Sequence, residues 1–119
     1  MASVEAAMRA VPRHLFIPDS PAERAYSNEN IVTCRDAEGV AVSSASAPGV
    51  VAGMLEQLDV QPGHRVLEIG AGTGYNAALL AQLVGPAGQV TTVDIDDRRD
   101  ARITARDAQS RRWPGSCRS

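Results

Sequence analysis

The stretch VLEIGAGTGY, residues 66–75, restricts the fold of this chain more than any other segment. Arg65 to Ile69 predicts a β-strand, and its apolar residues Val66, Leu67 and Ile69 suit burial in a parallel sheet. Three alternating glycines follow and lead without spare residues into an apolar helical pattern. Glycine is needed where a chain turns sharply and where a ligand must approach bare backbone. This segment therefore predicts a strand, a ligand-binding loop and a helix in direct succession.

The flanking segments extend this unit into a larger α/β fold. Residues 75–84 predict a helix and residues 89–94 predict a second strand, so we expect a parallel βαβ crossover. The fold class predicted is therefore α/β, with strands of a parallel sheet. The other predicted elements are helices over 3–10 and 49–58 and, within an otherwise irregular stretch over 26–47, a short strand at 31–32.

The spacing of the glycines discriminates between nucleotide ligands. Gly70, Gly72 and Gly74 follow the pattern G-x-G-x-G, whereas a dinucleotide fingerprint is G-x-G-x-x-G and would need a glycine where Tyr75 stands. A Walker loop requires lysine, and this chain contains none. Glu68, just before the loop, would repel a pyrophosphate but suits a ligand that carries an ammonium or sulfonium group.

Asp94 ends the second predicted strand, 20 residues after Gly74. An acid at this position reaches the two ribose hydroxyls of a nucleoside in such folds. An adenosyl group with a cationic, amino-acid-like tail fits all these features, so we expect S-adenosylmethionine as the cofactor. Two alternatives remain open: a tight structural turn without a ligand, and a nicotinamide or flavin site.

Longer stretches resemble a known enzyme family. VLEIGAGTGYNAALLAQLVG (66–85) and GQVTTVDID (88–96) resemble motif I and the following acidic strand of class I methyltransferases. VPRHLFIP (11–18) and SSASAPGVVAGMLEQLDVQPGHRVLEIG (43–70) resemble the protein-L-isoaspartate O-methyltransferase family. The resemblance covers residues 11 to about 97. It implies a Rossmann-like sheet and methyl transfer from S-adenosylmethionine to a carboxylate, that of an isoaspartyl residue in a protein or peptide.

The resemblance also implies roles for six residues. Ser46, which precedes Pro48 in Ser-Ala-Pro, matches the active-site serine of the family; on the sequence alone, an N-cap of the helix beginning near Gly49 is the alternative. No metal ligands are expected. The residues matched to cofactor binding are the motif I acid Glu68, the loop glycines Gly70, Gly72 and Gly74, and the ribose-binding acid Asp94.

The family pattern stops after residue 97. Six βα units need roughly 150 residues from the first strand, and only the 54 residues 66–119 are available. We therefore expect residues 1–97 to form an N-terminal segment with the cofactor-binding βαβ half of a methyltransferase domain, incomplete at its C-terminus. Residues 98–119 read as an atypical arginine-rich tail, either the result of a frameshift near codon 98 or a solvated tail native to a short protein.

An incomplete sheet leaves one strand edge bare, which invites self-association or pairing with a partner. The chain is then a truncated enzyme, a non-catalytic adenosyl-binding fragment that needs a partner to complete its site, or an inactive remnant. The net charge of −2 argues against nucleic acid, and no apolar run has the length of a membrane span. Two cysteines are too few for a disulfide scaffold and predict reduced thiols, and no signal peptide is visible, so a cytoplasmic location is expected.

Overall fold

A computed structural model describes residues 2–70, 72–94 and 101–103 of the 119-residue chain. Helices and strands alternate from residue 48 to residue 93, as expected of the α/β class. A 3₁₀ turn at Arg13–Phe16 follows the first helix. The helices are α1 Ala2–Ala10, α2 Ala22–Ala25, α3 Pro48–Leu58 and α4 Tyr75–Val84, and the strands are β1 Ile31–Arg35, β2 Ala41–Ala45, β3 Arg65–Ile69, β4 Gln89–Val93 and β5 Ala101–Ile103.

The central sheet has the order β3-β4-β5. Strands β3 and β4 are parallel, in a register that pairs Arg65 with Gln89 and Ile69 with Val93. Helix α4 connects them and packs against β4, so the predicted βαβ crossover is confirmed. Strand β5 runs antiparallel to β4 on its other side. This strand falls within the segment that we expected to be a tail.

The core is built around α4, whose sequence YNAALLAQLV is apolar on nearly every face. Such a helix must be covered on several sides, and α4 packs against α1, β3 and β4. Val90 of β4 is fully buried, and Phe16 of the 3₁₀ turn lies with its ring centroid 5.9 Å from that of Tyr75. The N-terminal segment thus anchors the helix that begins directly after the glycine loop.

One face of β3 is open to solvent, which corrects the expectation that its apolar residues are buried. Leu67 is 62% exposed and Ile69 is 82% exposed, whereas Val66 is half-buried on the opposite face. The reason is that within the described residues no layer of helices packs on this face of the sheet. A parallel strand is normally covered on both faces.

Helix α3 extends this exposed surface. Val50, Met54 and Leu58 recur at four-residue spacing and are all exposed. Met54 and Ile69 line the same cavity, which places α3 beside the open side of β3. We call the five residues Val50, Met54, Leu58, Leu67 and Ile69 the open apolar face.

A hairpin occupies most of the stretch that was expected to be irregular. Strands β1 and β2 pair antiparallel, and a carboxylate oxygen of Asp36 accepts hydrogen bonds from the N–H groups of Glu38 and Val40 in the turn. Cys34 in β1 is disulfide-bonded, so the expected reduced thiol is wrong at this position. A count of two cysteines excludes a scaffold of several disulfides but not a single one.

Parts of the expected tail lie outside the described residues, as does Cys117. Among the helices that the structure does describe, none combines the length and the apolar character needed to cross a bilayer.

Candidate functional site

The glycine loop follows β3 at the carboxyl end of the parallel strands. Gly70, Gly72 and Gly74 all have positive φ, of 94°, 56° and 85°. L-residues with a side chain rarely adopt this region, which explains the alternation of glycines. A Cβ added at Gly70 or Gly72 would meet no atom within 4 Å. The loop therefore presents open backbone on its outer side, as close contact with a ligand requires.

Asp94 lies directly beside this loop, as its position after β4 predicts. Its Oδ2 accepts a hydrogen bond of 3.1 Å from the backbone N–H of Gly72, and the N–H of Gly70 donates to the carbonyl of Val93 at 2.7 Å. The two parallel strands are thus joined where they end. In open α/β sheets, ligands bind at the carboxyl ends of the parallel strands. Contact between Asp94 and a ribose stays a prediction.

Glu68 is held by two hydrogen bonds that sequence reasoning missed. The Asn76 side-chain amide donates to Oε2 and the Thr92 hydroxyl donates to Oε1, each at 2.7 Å. Burial raises the pKa of Glu68 above its ordinary value, the two hydrogen bonds oppose this rise, and the charge of Asp94 adds to it. Both partners are polar residues in apolar elements, Asn76 in helix α4 and Thr92 in strand β4. This contrast was the signal that could have identified them in the sequence.

A cavity of about 290 Å³ brings most of the predicted site residues together. Two serines from the end of the hairpin face the loop glycines and Glu68 across it. Gly74 and Asp94 are not part of its wall: Gly74 is the N-cap residue of α4, and Asp94 supports the loop through Gly72. The lining includes Ser44, Ser46, Met54, Glu68, Ile69, Gly70, Gly72, Thr73, Tyr75 and Asn76.

Ser46 is exposed and does not cap α3. The N-cap residue is Ala47, whose side chain has no hydrogen-bonding atom and cannot cap the first turn of α3. Two asparagines from the loop between α2 and β1 cap this turn instead: Oδ1 of Asn30 accepts from the Ala47 N–H at 2.8 Å, and Oδ1 of Asn28 accepts from the Gly49 N–H at 2.9 Å. The capping alternative for Ser46 is therefore wrong, and its hydroxyl is not engaged as a cap.

Arg13 is a further residue that sequence reasoning missed. Its Nε donates to the carbonyl of Ala25 at 2.6 Å, and its Nη2 donates to the carbonyl of Ser46 at 2.9 Å. The guanidinium carbon lies 4.9 Å from the centroid of the Tyr75 ring, a cation–π contact. Arg13 thus connects the backbone of Ser46 to the first residue of the helix after the glycine loop.

This arrangement has a counterpart among known proteins. The family model described as protein-L-isoaspartate(D-aspartate) O-methyltransferase matches residues 1–109. The chain belongs to this family. The match to the isoaspartyl methyltransferase model continues past residue 97, where we expected the family pattern to end.

Relatives within the family are substantially longer. The protein-L-isoaspartate O-methyltransferase of Methanopyrus kandleri is 47% identical over 91 residues, which are 76% of this chain and 38% of the relative. That of Aeropyrum pernix is 48% identical over 88 residues, which are 74% of this chain and 32% of the relative. The chain therefore spans about a third to two fifths of the length of these isoaspartyl methyltransferases.

Two solved structures that match this chain are also named isoaspartyl methyltransferases, and the chain covers only part of each. A protein-L-isoaspartate O-methyltransferase matches with a TM-score of 0.70 and 36% identity, covering 79% of this chain and 29% of that one. A putative enzyme of the same name from Plasmodium falciparum, in complex with S-adenosyl-L-homocysteine, matches with a TM-score of 0.62 and 24% identity, covering 82% and 44%. The second likeness concerns the fold alone. The described α/β unit is thus part of an isoaspartyl methyltransferase fold.

Proposed function

We propose that this chain carries the cofactor loop and the acceptor-positioning serine of an S-adenosylmethionine-dependent protein-L-isoaspartate O-methyltransferase. The observation that carries the proposal is the cavity in which Ser46 faces Gly70, Gly72 and Glu68. A methyl donor on the loop and an acceptor beside the serine would then be adjacent. Family membership and the names of the relatives support this assignment.

The residues present fit the cofactor. The positive φ values and the empty space outside Gly70 and Gly72 leave room for a ligand against bare backbone. Asp94, at the end of β4, is placed to accept hydrogen bonds from ribose hydroxyls, and Glu68 is an anionic neighbour for the ammonium of the amino-acid tail. When bound, S-adenosylmethionine supplies a methyl group activated by its sulfonium.

The chemistry then requires positioning more than acid–base catalysis. A carboxylate is already ionised and nucleophilic at neutral pH. The Ser46 hydroxyl donates a hydrogen bond to one oxygen of the acceptor carboxylate and turns the other toward the loop. Such alignment lowers a barrier by several kcal/mol. Ser46 does not act as a covalent nucleophile, because among the described residues neither histidine hydrogen-bonds to it as an activating base.

The partner of this reaction is a protein or peptide with an isoaspartyl residue or another accessible carboxylate. We keep the cytoplasmic location expected from the sequence, although a disulfide at Cys34 is more typical of oxidising compartments. Alkylation of free thiols in rapidly quenched cells tests this point. A Cys34 that reacts before reduction supports the cytoplasm, and one that reacts only after reduction contradicts it.

Transfer of a labelled methyl group to an isoaspartyl peptide tests the proposed activity. We expect base-labile methyl esters on this peptide and not on the same peptide with a normal aspartyl linkage. Ser46→Ala should lower kcat/KM about tenfold or more, since a hydrogen bond to a charged group is lost. Ser20→Ala is the matched control outside the cavity. Equal transfer to both peptides would contradict isoaspartyl specificity, and an unchanged Ser46→Ala would contradict the role of the serine.

The open apolar face favours a second candidate, a non-catalytic adenosyl-binding fragment that needs a partner. Leu67 and Ile69 lie on the edge strand β3, and an unprotected apolar edge readily pairs with another chain. Calorimetric titration with S-adenosylhomocysteine distinguishes the candidates. Micromolar binding by the chain alone supports the enzyme. As the partner we use the part of the Methanopyrus kandleri relative that lies outside the aligned segment. Binding that requires this partner supports the fragment.

Self-association at the same edge is measured by analytical ultracentrifugation. We expect concentration-dependent oligomers of the wild-type chain and a shift toward monomer for Ile69→Lys, which places a charge on the open apolar face. Val40→Lys is the control, because Val40 is also exposed but lies in the hairpin turn. A monomer at all concentrations would exclude self-association through β3.

A further inference from the structure

Arg13 is buried and forms no ion pair within the described part of the chain. Its side chain is 1% exposed, and both of its hydrogen-bond acceptors are backbone carbonyls. Among the described residues no carboxylate lies within ion-pair distance of it, and Nη1 is buried without a hydrogen-bond partner. A buried cation without a counter-ion is costly, and such groups are normally paired.

The surroundings of Arg13 indicate where a counter-ion would lie. Arg13 lines two cavities, one of about 420 Å³ between α1 and α3 and the cavity of about 290 Å³ that contains Ser46 and the loop glycines. In the second cavity its Nη2 already holds the carbonyl of Ser46. Glu68 also lines this cavity, but no ion pair joins its carboxylate to Arg13. No described carboxylate thus pairs with the guanidinium, which leaves the role of counter-ion to an anion from outside the chain.

We propose that Arg13 supplies the positive charge that binds a ligand carboxylate in the cavity between Ser46 and the glycine loop. This inference rests on the proposed function, in which two ligands carry a carboxylate: the amino-acid end of the cofactor and the methyl acceptor. Arg13 reaches either one from the Ser46 side of the cavity. Because the field of a guanidinium acts over several ångströms in a poorly solvated site, full exposure of Nη1 is not required.

A purely structural role for Arg13 makes a different prediction. If the guanidinium only tied Ala25 and Ser46 together, its replacement would weaken all ligands to the same extent. If it binds a carboxylate, its replacement weakens ligands that have the carboxylate and spares analogues that lack it. Selectivity for the ligand's charge, rather than the loss of binding itself, is therefore the decisive readout.

The experiment compares wild type, Arg13→Met and Arg13→Lys, with Arg24→Met as an exposed control on α2. Each is titrated by calorimetry with S-adenosylhomocysteine, with its decarboxylated analogue, and with an isoaspartyl peptide and its isoasparagine counterpart. We expect Arg13→Met to weaken one of the two carboxylate ligands about tenfold or more and its neutral analogue by less than about twofold. Arg13→Lys keeps the charge and should lose less affinity for the carboxylate ligand. If Arg13→Met does not fold, Arg13→Lys is compared with wild type in its place.

The pattern identifies the source of the carboxylate. A selective loss with S-adenosylhomocysteine assigns Arg13 to the cofactor, and a selective loss with the peptide assigns it to the acceptor. Equal losses for charged and neutral ligands, or no loss at all, would overturn the proposal.

Failure of the proposed function has a separate signature. If wild type binds neither nucleoside nor peptide, that function is wrong, and acetate then tests Arg13 alone. A rise in the Tm of wild type with acetate that is absent with acetamide, and absent in Arg13→Met, supports a carboxylate site. An equal rise in the Tm of wild type and of Arg13→Met with acetate contradicts a carboxylate site at Arg13.

Discussion

The backbone N–H of Gly72 donates a hydrogen bond to the carboxylate of Asp94, 22 positions further along the chain, at 3.1 Å. The contact joins the loop after β3 to the end of β4, and it holds Gly72 in a conformation with positive φ. In such folds nucleosides bind at the carboxyl ends of the parallel strands, where this contact lies. Asp94 thus supports the loop, and its contact with a ribose stays a prediction.

Asp94→Ala should therefore weaken S-adenosylhomocysteine by about tenfold or more. Each hydrogen bond to a charged acceptor is worth about 1.5–3 kcal/mol, and this variant loses the support of Gly72 as well. Asp94→Asn keeps an acceptor oxygen without the charge and should lie between the two. Calorimetric titration measures the affinities, with the exposed Asp19→Ala as control. Equal affinity of wild type and Asp94→Ala would exclude the ribose role.

The pH dependence of stability should report on Glu68. Burial raises the pKa of Glu68 above its ordinary value of 4.5. The folded state therefore holds the proton more tightly than the unfolded state. The contribution of Glu68 to stability is then fully present below about 4.5 and is lost as pH rises through the raised pKa.

Urea unfolding from below this value to neutral pH measures the effect. Glu68→Gln cannot titrate, so the stability of wild type relative to Glu68→Gln should fall as pH rises through this window. Glu23→Gln, on the exposed helix α2, should follow wild type at every pH. Parallel curves for wild type and Glu68→Gln would show that the pKa of Glu68 is not raised in the folded state.

Two glycines outside the loop should respond to alanine with opposite signs. A Cβ at Gly53 in α3 would meet no atom within 4 Å, so Gly53→Ala should stabilise the chain by about 0.5–1 kcal/mol. A Cβ at Gly88 would overlap the side chain of Val84, so Gly88→Ala should destabilise it by about 1–3 kcal/mol. Thermal and urea unfolding measure both changes. Destabilisation by Gly53→Ala would mean that α3 packs more closely than described.

The cap that Asn30 provides for α3 should matter for Ser46. Asn30→Ala removes the acceptor for the Ala47 N–H and should cost about 1 kcal/mol of unfolding free energy. Because Ala47 follows Ser46, methyl transfer should fall more than this stability loss explains. Asn30→Asp keeps the acceptor oxygen and should recover most of both quantities. Full activity in Asn30→Ala would show that the cap does not position the serine.

The strongest sequence patterns predicted their elements correctly. The strand Arg65–Ile69 and the helix Tyr75–Val84 have the predicted bounds, because a dense apolar pattern and the glycines determine where each begins and ends. The proximity of Asp94 to the loop also followed from the sequence, since the carboxyl ends of parallel strands share one edge. The roles of Ser46, Glu68 and Asp94 toward ligands stay predictions.

Other features depend on contacts between distant segments and left little local signal. The hairpin of β1 and β2 is stabilised by its backbone ladder and by the turn at Asp36. The sequence predicted only a short strand at 31–32, because the adjacent serines Ser43 and Ser44 weaken the apolar pattern of β2. Arg13 contacts Ser46 across 33 positions, and no spacing rule links the two. The exposure of Leu67 and Ile69 was missed because an apolar pattern does not reveal whether another layer covers that face of the sheet.

Because β3 is an edge strand, its backbone amides should exchange hydrogen faster than those of β4. Strand β4 is bonded on both sides, by β3 and by β5, whereas the described part of β3 is bonded only by β4. Amide protons on the outer side of β3 are therefore free to exchange with solvent without any opening of the protein, and those of β4 must wait for local unfolding. Deuterium uptake is therefore expected earlier on the outer side of β3, the strand that leads into the glycine loop, than in β4.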